Sequence, residues 1–326
     1  KHAKLDVIRK GNVLAVLVDA SDTWSHDIKE YRTEAGRFGD AAFALEESGE
    51  VQAAVRITSR FRQSEAIQRL RIYRESPLID MDFRINWQEA HHALKLGFET
   101  NIEEGSPVYE APYGHQQRPG TGEEAPGQQY FDLSGLIDGV PYGFAVINNG
   151  QYGFDVRGGE MRVTLLRSPA YGHHDPARFE AGAGWPIMDQ GWHRMHFRLI
   201  PHSGAWDTAD IPRQAWEMNM PPRVHIESAH PGALGPCLSL LDTGAGNVLI
   251  GVVKQSEEGK DLIVRGYETH GQSATVHLCL PHFGRGYDVE FAPHEIKTLR
   301  IDPTTWTIRE VNLLEEMDEG SHTSSL

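Results

Sequence analysis

The stretch YGFAVINNGQYGFDVRGG, residues 142–159, contains the tripeptide YGF twice, with Asn-Asn-Gly between the copies. A two-residue turn at Asn149-Gly150 fits this pattern, because Asn-Gly tolerates the positive φ angles of a type I′ hairpin turn. Such a turn would place Ile147 opposite Tyr152 on one apolar face. A phosphate-binding loop would need a following helix, whereas MRVTLLR, a strand pattern, follows. The sequence therefore predicts a hairpin over residues 142–157 and a β fold.

Strand patterns continue along almost the whole chain, and helical periodicity is nearly absent. One short helix is predicted at 209–219. Strands are predicted at 13–19, 41–46, 53–60, 66–73, 78–87, 93–100, 143–148, 152–157, 161–167, 194–201, 224–227, 237–242, 248–254, 262–269, 274–280, 287–291 and 295–301. Many short strands with so little helix predict an all-β protein built from sandwiches.

Composition suggests where the domains begin and end. A segment rich in proline and glycine, 201–236, indicates a crossing between two domains, predicted at residues 1–222 and 223–316. Residues 106–135 show almost no strand pattern and predict a long loop, and loops of that length are usually functional or disordered. The acidic and then serine-rich residues 317–326 predict a loose tail.

Charge and cysteine content exclude several classes of protein. The 326 residues carry a net charge of −15, which argues against partners such as nucleic acid or an anionic membrane surface. No apolar run approaches the ~20 residues of a membrane helix, and no signal sequence opens the chain. The two cysteines, Cys237 and Cys279, lack metal-ligand spacing and fit a reducing, cytoplasmic location. Lys1 and the early first strand suggest a chain cut from a longer one.

Two stretches offer side chains that could bind a ligand. His173-His174 in SPAYGHHDP could bind a metal, but adjacent side chains point apart in extended chain, which favours a hydrogen-bonded loop. Asp22, Trp24 and His26 follow a buried strand in DASDTWSHDI. They form either a sugar platform or a turn held by a packed indole, and the sequence leaves both interpretations open.

Other motifs give weaker indications of a catalytic or binding site. Glycoside cleavage needs two carboxylates about 5 to 9 Å apart across a sugar, and adjacency in sequence does not indicate that separation. A solvated loop is therefore the favoured interpretation of the pairs Glu103-Glu104 and Glu123-Glu124. GTGEEAPG and DTGAGNVLIG lack the strand and helix of a nucleotide loop. The sequence therefore predicts neither a self-contained catalytic constellation nor a structural metal site.

Ten stretches together resemble the carboxy-terminal β-region of α-mannosidases of glycoside hydrolase family 38, in its bacterial branch. They run from about residue 18 to residue 302, and their order and spacing make the resemblance specific. In chain order they are DASDTWSHDIKEY, DMDFRINWQEAHHALKLGFET, APYGHQQRP, YFDLSG, YGFAVINNGQYGFDV, LLRSPAYGHHDP, DQGWHRMHFRLIPHSG, MNMPP, KQSEEGKDLIVRGYE and APHEIKTLRI.

The resemblance implies a retaining, zinc-dependent α-mannosidase that hydrolyses terminal α-mannosides of oligosaccharides. In that family the Asp nucleophile and the zinc ligands lie in an amino-terminal α/β barrel, and this sequence shows no βα alternation. By implication, this chain alone has no catalytic residue, metal or cofactor, and its partner is the catalytic domain of its own polypeptide. The implied fold is a mutarotase-like β-supersandwich, residues 1–222, followed by a smaller β-sandwich that also packs on the barrel.

The resemblance also suggests which residues line the substrate cleft. APYGHQQRP opens the 106–135 loop, and its Tyr113, His115 and Arg118 are aromatic and polar types that suit a sugar. The family pattern after LLRSP usually continues with Pro and Asp, so His173 and His174 receive no implied role. An alternative is a free-standing carbohydrate-binding or mutarotase-like protein, for which a His and a Glu would have to meet in a sheet concavity. Homo-oligomerisation is left open.

Overall fold

The computed structural model describes residues 4–172, 184–232 and 235–317, which form two compact units. The first unit comprises Lys1–Glu110 and Gln116–Met220, and the second comprises Ala111–His115 and Pro221–Leu326. Strands dominate both, so the all-β prediction is confirmed. The exact domain limits stay a prediction. No helix among the described residues is long and apolar enough to cross a membrane.

The first unit contains a six-stranded and a nine-stranded sheet. Its strands are β1 (Ile8–Val18), β2 (Glu34–Arg37), β3 (Gly39–Ser48), β4 (Gln52–Phe61), β5 (Ser64–Tyr73), β6 (Ile79–Trp87), β7 (His92–Thr100), β8 (Glu103–Ala111), β9 (Gly114–Gln117), β10 (Ala125–Pro126), β11 (Tyr130–Ile137), β12 (Val140–Asn148), β13 (Gly153–Arg157), β14 (Glu160–Arg167) and β15 (Gly191–Ser203). The strand orders are β10-β13-β14-β7-β1-β2 and β3-β4-β5-β6-β15-β12-β11-β8-β9.

The main hydrophobic core lies between these two sheets. Strand β6 shows how the sequence builds it, because its apolar side chains alternate with polar ones and successive side chains point to opposite faces. Met81 and Phe83 are at most 1% exposed. The six-stranded sheet contributes Leu96 and Phe98, and the Phe98 ring lies 5.3 Å from that of Phe144 in the other sheet. Each such side chain contributes about 1.5–3 kcal/mol when fully buried.

The one α-helix among the described residues covers part of the outer face of the nine-stranded sheet. Helix α1 (Ile211–Asn219) has Pro212 in its first turn, where a missing N–H is tolerated. Ile211 and Ala215 pack with Ala145 and Ile147 of β12. Both faces of β12 are therefore buried, one against the core and one against the helix.

The predicted hairpin over residues 142–157 is wrong. β12 pairs with β11 and β15 in the nine-stranded sheet, whereas β13 pairs with β10 and β14 in the other sheet. Ile147 therefore lies opposite Tyr130 and Arg198, and not opposite Tyr152. Asn149-Gly150 does turn the chain, because the Asn148 side chain accepts the N–H groups of residues 150 and 151. The turn carries the chain from one sheet to the other.

The hairpin turn of β12 lies at its other end. Ile137 of β11 pairs with Val140 of β12, which leaves Asp138 and Gly139 as a two-residue turn. Their φ angles are 50° and 75°, as a type I′ turn requires. Asp-Gly thus has the role that the sequence analysis assigned to Asn-Gly.

The long loop predicted at 106–135 is also wrong, because this region contains most of β8, all of β9 and β10, and most of β11. Several of its glycines and prolines, such as Pro107, Gly114, Pro126 and Gly135, lie within strands. Phe131 pairs with Tyr109 and Leu133 with Pro107. Gly135 passes so close to β8 that an added Cβ would lie 2.3 Å from the Glu103 carbonyl oxygen. Glycine marks a close approach of strands here, and not a loop.

Strand β15 joins the two halves of the nine-stranded sheet. It pairs with β6 on one side and with β12 on the other. Met195 and Phe197 face the core, as their alternation in HRMHFRLI predicts. Without β15 the sheet would consist of β3 to β6 and, separately, of β12, β11, β8 and β9.

The second unit contains a four-stranded and a two-stranded sheet around its own core, in which Val264 and Ile301 are fully buried. Strands predicted at 224–227 and 237–242 are absent from its described residues. Val224 and Ile226 are 82% and 99% exposed there, because no neighbouring strand pairs with them. The strands are β16 (Val248–Gln255), β17 (Leu262–Glu268), β18 (Ala274–Leu280), β19 (Arg285–Phe291), β20 (Ile296–Ile301) and β21 (Ile308–Val311).

Candidate functional site

The segment between β1 and β2 carries Asp22, Trp24 and His26. The Asp22 carboxylate accepts the backbone N–H groups of Trp24 and His26, each at 3.0 Å, and also contacts the His26 ring. Aspartate readily bonds to backbone groups a few residues on, and this local bonding turns the chain. Asp22 is buried, whereas Trp24 is 61% exposed. The Asp22 carboxylate therefore holds the turn, and most of the Trp24 side chain is exposed.

Arg167, at the end of β14, fastens this segment to the six-stranded sheet. Its guanidinium donates to Asp19 Oδ2 and to the Ser21 hydroxyl, both at 2.9 Å. It also donates to the Thr23 carbonyl at 3.3 Å. The five donors of a guanidinium allow one side chain to hold several positions. Within the LLRSP stretch, Arg167 therefore positions the Trp24 turn.

Three exposed aromatic residues lie on segments that are hydrogen-bonded to one another at this end of the sheet. The Thr23 hydroxyl donates to the Ala170 carbonyl at 2.8 Å, which brings the backbones next to Trp24 and Tyr171 together. The Tyr171 N–H donates to the Pro186 carbonyl at 2.7 Å, which adds Trp185. Trp24, Tyr171 and Trp185 are 61%, 67% and 40% exposed. We call these three residues the aromatic rim. His173 and His174, which follow it, lie outside the described residues.

Large exposed aromatic side chains with a polar tip suit a surface that is both apolar and wet, as the face of a sugar is. The aromatic rim therefore has the chemical character of a carbohydrate contact. It offers stacking surface and hydrogen-bond donors, but it contains no acid or nucleophile of its own. The arrangement can bind and orient a sugar, and bond cleavage would require groups from elsewhere.

A buried ion cluster lies on the outer face of the same sheet. Lys95 and Asp155 are at most 1% exposed, and Lys95 Nζ lies 2.5 Å from Asp155 Oδ2 and in contact with Glu124. Each carboxylate has a cationic partner. The cluster comprises Arg32, Lys95, Glu124, Asp155, Glu160 and Arg162.

The two carboxylates that share Lys95 in this cluster do not have the geometry of a glycosidase pair. Asp155 and Glu124 both contact the ammonium group of Lys95, so a cation occupies the space between them. A retaining glycosidase needs that space for the sugar. Glu124, which the sequence analysis placed in a solvated loop, instead helps to hold residues 120–126 against the sheet. The cluster is a structural element.

Two histidine–aspartate pairs lie in the nine-stranded sheet. His202 Nε2 lies 2.7 Å from Asp132 Oδ2, both residues are buried, and burial raises the pKa of Asp132. His196 Nδ1 lies 2.6 Å from Asp82 Oδ1, and its interactions with Asp80 and then Asp82 raise the pKa of His196. The mutarotase hypothesis requires a His and a Glu in a concavity. These pairs use Asp, and one of them is closed to solvent.

Glu110 in β8 was missed by the sequence analysis. It is 6% exposed, and burial raises its pKa to about 7 although its carboxylate accepts the Gln129 N–H at 2.5 Å. Perturbed carboxyl groups of this kind occur at functional sites and also in structural bonds. Here the bond ties β8 to the start of β11. The only signal in the sequence is a charged residue between Tyr109 and Ala111.

The predicted cleft residues are distributed over the two units. Tyr113 and His115 belong to the second unit, where the Tyr113 ring lies 5.3 Å from that of Tyr267. His115 Nδ1 donates to the Thr269 carbonyl at 3.1 Å, and burial lowers the pKa of His115. Arg118 belongs to the first unit. The cleft-lining role of Tyr113, His115 and Arg118 stays a prediction.

No group of three or more His, Cys, Asp or Glu side chains within 4–172, 184–232 and 235–317 could hold a metal ion. Among these side chains, His196 and His202 are already paired with aspartates. The zinc that the resemblance implies therefore does not fit the described part of this chain.

Fold and site together define an all-β protein of stacked sheets that exposes the aromatic rim. Two sequence profiles match the chain in order: the glycosyl hydrolases family 38 C-terminal domain over residues 1–177, and the family 38 C-terminal beta sandwich domain over residues 247–325. The chain belongs to glycoside hydrolase family 38, of which it represents the C-terminal region. The family resemblance is confirmed, and the bacterial branch stays a prediction.

Relatives of the chain carry α-mannosidase names. Alpha-mannosidase 2C1 of Mus musculus is 28% identical over 218 residues, which cover 63% of this chain and 19% of the mouse protein. Alpha-mannosidase G of Dictyostelium discoideum is 25% identical over 220 residues, 64% of this chain and 18% of that protein. The chain thus spans about a fifth of the length of these relatives.

Solved structures share the fold. The crystal structure of an alpha-mannosidase from Enterococcus faecalis V583 superposes with a TM-score of 0.72 at 17% identity. The superposition covers 90% of this chain and 39% of the bacterial one. At this identity the similarity establishes the fold alone.

Proposed function

We propose that this chain is the accessory C-terminal β-region of a retaining, zinc-dependent α-mannosidase. It packs against an amino-terminal catalytic domain and walls a cleft that receives terminal α-mannosides. The observation that carries the proposal is the ordered match of both family 38 C-terminal profiles, over 1–177 and 247–325. The mannosidase names of relatives in mouse and Dictyostelium support the same activity for the intact protein.

The chemistry of the described residues supports separate roles for the C-terminal region and the catalytic domain. Asp155 and Glu124 share Lys95 and stabilise the sheet. The nucleophile, the acid and the zinc would come from the catalytic domain. The C-terminal region would contribute contacts to the sugar from the aromatic rim and from Tyr113, His115 and Arg118. Binding groups of this kind orient a sugar without taking part in bond cleavage.

The test is hydrolysis of an aryl α-mannoside by this chain and by the full-length protein, both purified to homogeneity. We expect turnover by the full-length protein, its loss on chelation and its recovery with zinc. We expect no turnover by this chain at micromolar concentration. Turnover by the purified chain would show that a catalytic pair lies within these 326 residues.

A second candidate, a carbohydrate-binding protein active without a catalytic domain, is favoured by the exposure of the aromatic rim. Calorimetric titration of this chain with a mannose oligosaccharide distinguishes the two. Micromolar affinity that Trp24→Ala abolishes would support independent binding. The accessory role predicts affinity in the millimolar range or weaker, because the rim would form only one wall of the site.

A further inference from the structure

One face of the nine-stranded sheet is apolar, and its side chains become more exposed toward the edge formed by β3. Cross-strand partners lie on the same face of a sheet, so two rows can be followed from the core outward. Met81 and Phe83 are at most 1% exposed, whereas Leu45 and Phe43, at the other ends of their rows, are 69% and 70% exposed. The rows are Met81–Leu70–Val55–Leu45 and Phe83–Gln68–Ile57–Phe43.

The opposite face of these strands is charged. Glu46 accepts from Arg69 at 2.9 Å and pairs with Arg56 at 3.5 Å, and Arg60 pairs with Glu65 at 2.8 Å. Strands β3 to β5 are therefore amphipathic, and their apolar side becomes exposed toward the β3 edge. We call this side the open apolar face. It comprises Phe43, Leu45, Val55, Ile57, Leu70 and Ile72, of which Ile72 is 54% exposed.

Contiguous exposed apolar side chains of this size indicate an interaction surface. Strand β3 also forms the edge of the sheet, and its Asp40, Glu46 and Glu47 are charges of the kind that discourage pairing with another strand. Here Phe43 and Leu45 are exposed on that edge. A stable partner that covers the open apolar face would remove Phe43 and Leu45 from solvent and protect the edge strand.

The first strand of the unit borders this face. Asn12 of β1 and Gln68 exchange two side-chain hydrogen bonds, of 3.0 and 2.6 Å. Gln68 lies in the row that ends at Phe43. The residues that lead into β1 belong to the same unit, since the Asn101 side chain donates to the Asp6 carbonyl at 2.7 Å. A partner joined to the same chain would be present at high effective concentration.

In the relatives, a long stretch of polypeptide precedes the region that matches this chain. The match covers 19% of the mouse protein and corresponds to a C-terminal domain, so most of that protein lies before the matched region. A second copy of this chain is a poorer partner, because each copy carries a net charge of −15 and the two would repel each other.

We infer that the open apolar face is the surface on which the preceding domain of the family 38 polypeptide docks, through apolar side chains of its own. The inference rests on the proposed accessory role, and it specifies the strands that form the contact. The Glu46–Arg69 face of the same strands stays in solvent.

The test measures thiol accessibility in this chain and in the full-length protein, each with Cys237→Ser. Leu45→Cys reports on the open apolar face, and Arg56→Cys, on the opposite face of the paired strands, is the matched control. Maleimide labelling is followed by mass spectrometry of the peptide that contains the new cysteine. We expect similar rates for both variants in this chain, at least tenfold slower labelling of Leu45→Cys in the full-length protein, and no change for Arg56→Cys.

Equal labelling of Leu45→Cys in the two proteins would overturn the inference. So would protection in the isolated chain that disappears on dilution, since a second copy would then cover the face. Circular dichroism verifies that each variant folds. Hydrolysis of an aryl α-mannoside by the same full-length protein tests the proposed function separately, because an active protein with an accessible Leu45→Cys would refute the docking surface alone.

Discussion

Lys95 Nζ lies 2.5 Å from Asp155 Oδ2 at the centre of the ion cluster, and both side chains are at most 1% exposed. Removing one partner of a buried pair leaves an uncompensated charge, which costs about 3–5 kcal/mol. We therefore expect Lys95→Met to lower the free energy of unfolding of the first unit by that amount, measured by urea denaturation. Arg9→Met, in the exposed pair with Glu99, is the control and should change it by less than about 1 kcal/mol. Similar effects of the two substitutions would contradict the assigned role.

The pH dependence of stability should reveal the contact of His196 with Asp80 and Asp82. These carboxylates raise the pKa of His196, so its contribution is complete below about pH 6.5, the unfolded value, and is lost as the pH rises through the folded pKa. Burial disfavours the charged form of both aspartates, but bonds from cationic partners outweigh it and lower their pKa values. Their contribution is therefore complete above about pH 4, the unfolded value, and is lost as the pH falls through the folded pKa values.

We accordingly expect His196→Gln to destabilise the first unit by roughly 0.5–1 kcal/mol at pH 5.5 and by less at pH 8.5. His277→Gln, in a solvent-exposed pair with Asp288, is the matched control and should show little effect at either pH. Urea titrations at the two pH values provide the measurement. A destabilisation by His196→Gln that is larger at pH 8.5 would refute the assigned protonation linkage.

Close approach of strands at Gly135 should make this position intolerant of a side chain. An added Cβ would lie 2.3 Å from the backbone oxygen of Glu103, which cannot rotate away as a side chain can. We expect Gly135→Ala to destabilise the protein by about 2–3 kcal/mol. Gly39→Ala, where nothing lies within 4 Å, is the control. Thermal unfolding of both variants tests the difference, and equal midpoints would refute the steric argument.

In the full-length protein we expect Arg118→Ala to reduce kcat/KM for an aryl α-mannoside about 10- to 100-fold, because lost sugar hydrogen bonds cost roughly 1–3 kcal/mol. The unfolding midpoint should barely change, since substitutions that do not disturb a packed core usually have small effects. A variant with normal kcat/KM would remove Arg118 from the cleft. Reduced activity with equally reduced stability would assign it a structural role instead.

Much of the fold could be predicted because alternation reports which side chains a sheet buries. β6 and β15 were predicted correctly, since Met81, Phe83 and Phe197 face one core. Alternation does not reveal which strands are neighbours. The alternating residues on both sides of Asn149-Gly150 therefore predicted a hairpin, although each strand pairs in a different sheet.

The candidate site was less predictable, because its residues acquire their roles from distant partners. Arg167 contacts Asp19, and Lys95 contacts Asp155, through pairings that only the folded sheet creates. Trp24 could be noticed from its neighbours in sequence, but its exposure could not. The assignment of residues 111–115 to the second unit likewise depends on tertiary packing, which no local pattern in APYGHQQRP reports.

The position of β15 between β6 and β12 has a consequence for synthesis on the ribosome. Gly191 follows Trp87 by roughly 100 residues. At a synthesis rate of about 5–20 residues per second, β15 is therefore made about 5–20 s after β6, whose pairing it completes. During that interval the nascent sheet exists as two separate halves, and the β6 edge is open to unwanted pairing. Insertion of β15 then closes both halves in one step. Chaperone binding during translation should therefore be strongest before residues 191–203 leave the exit tunnel.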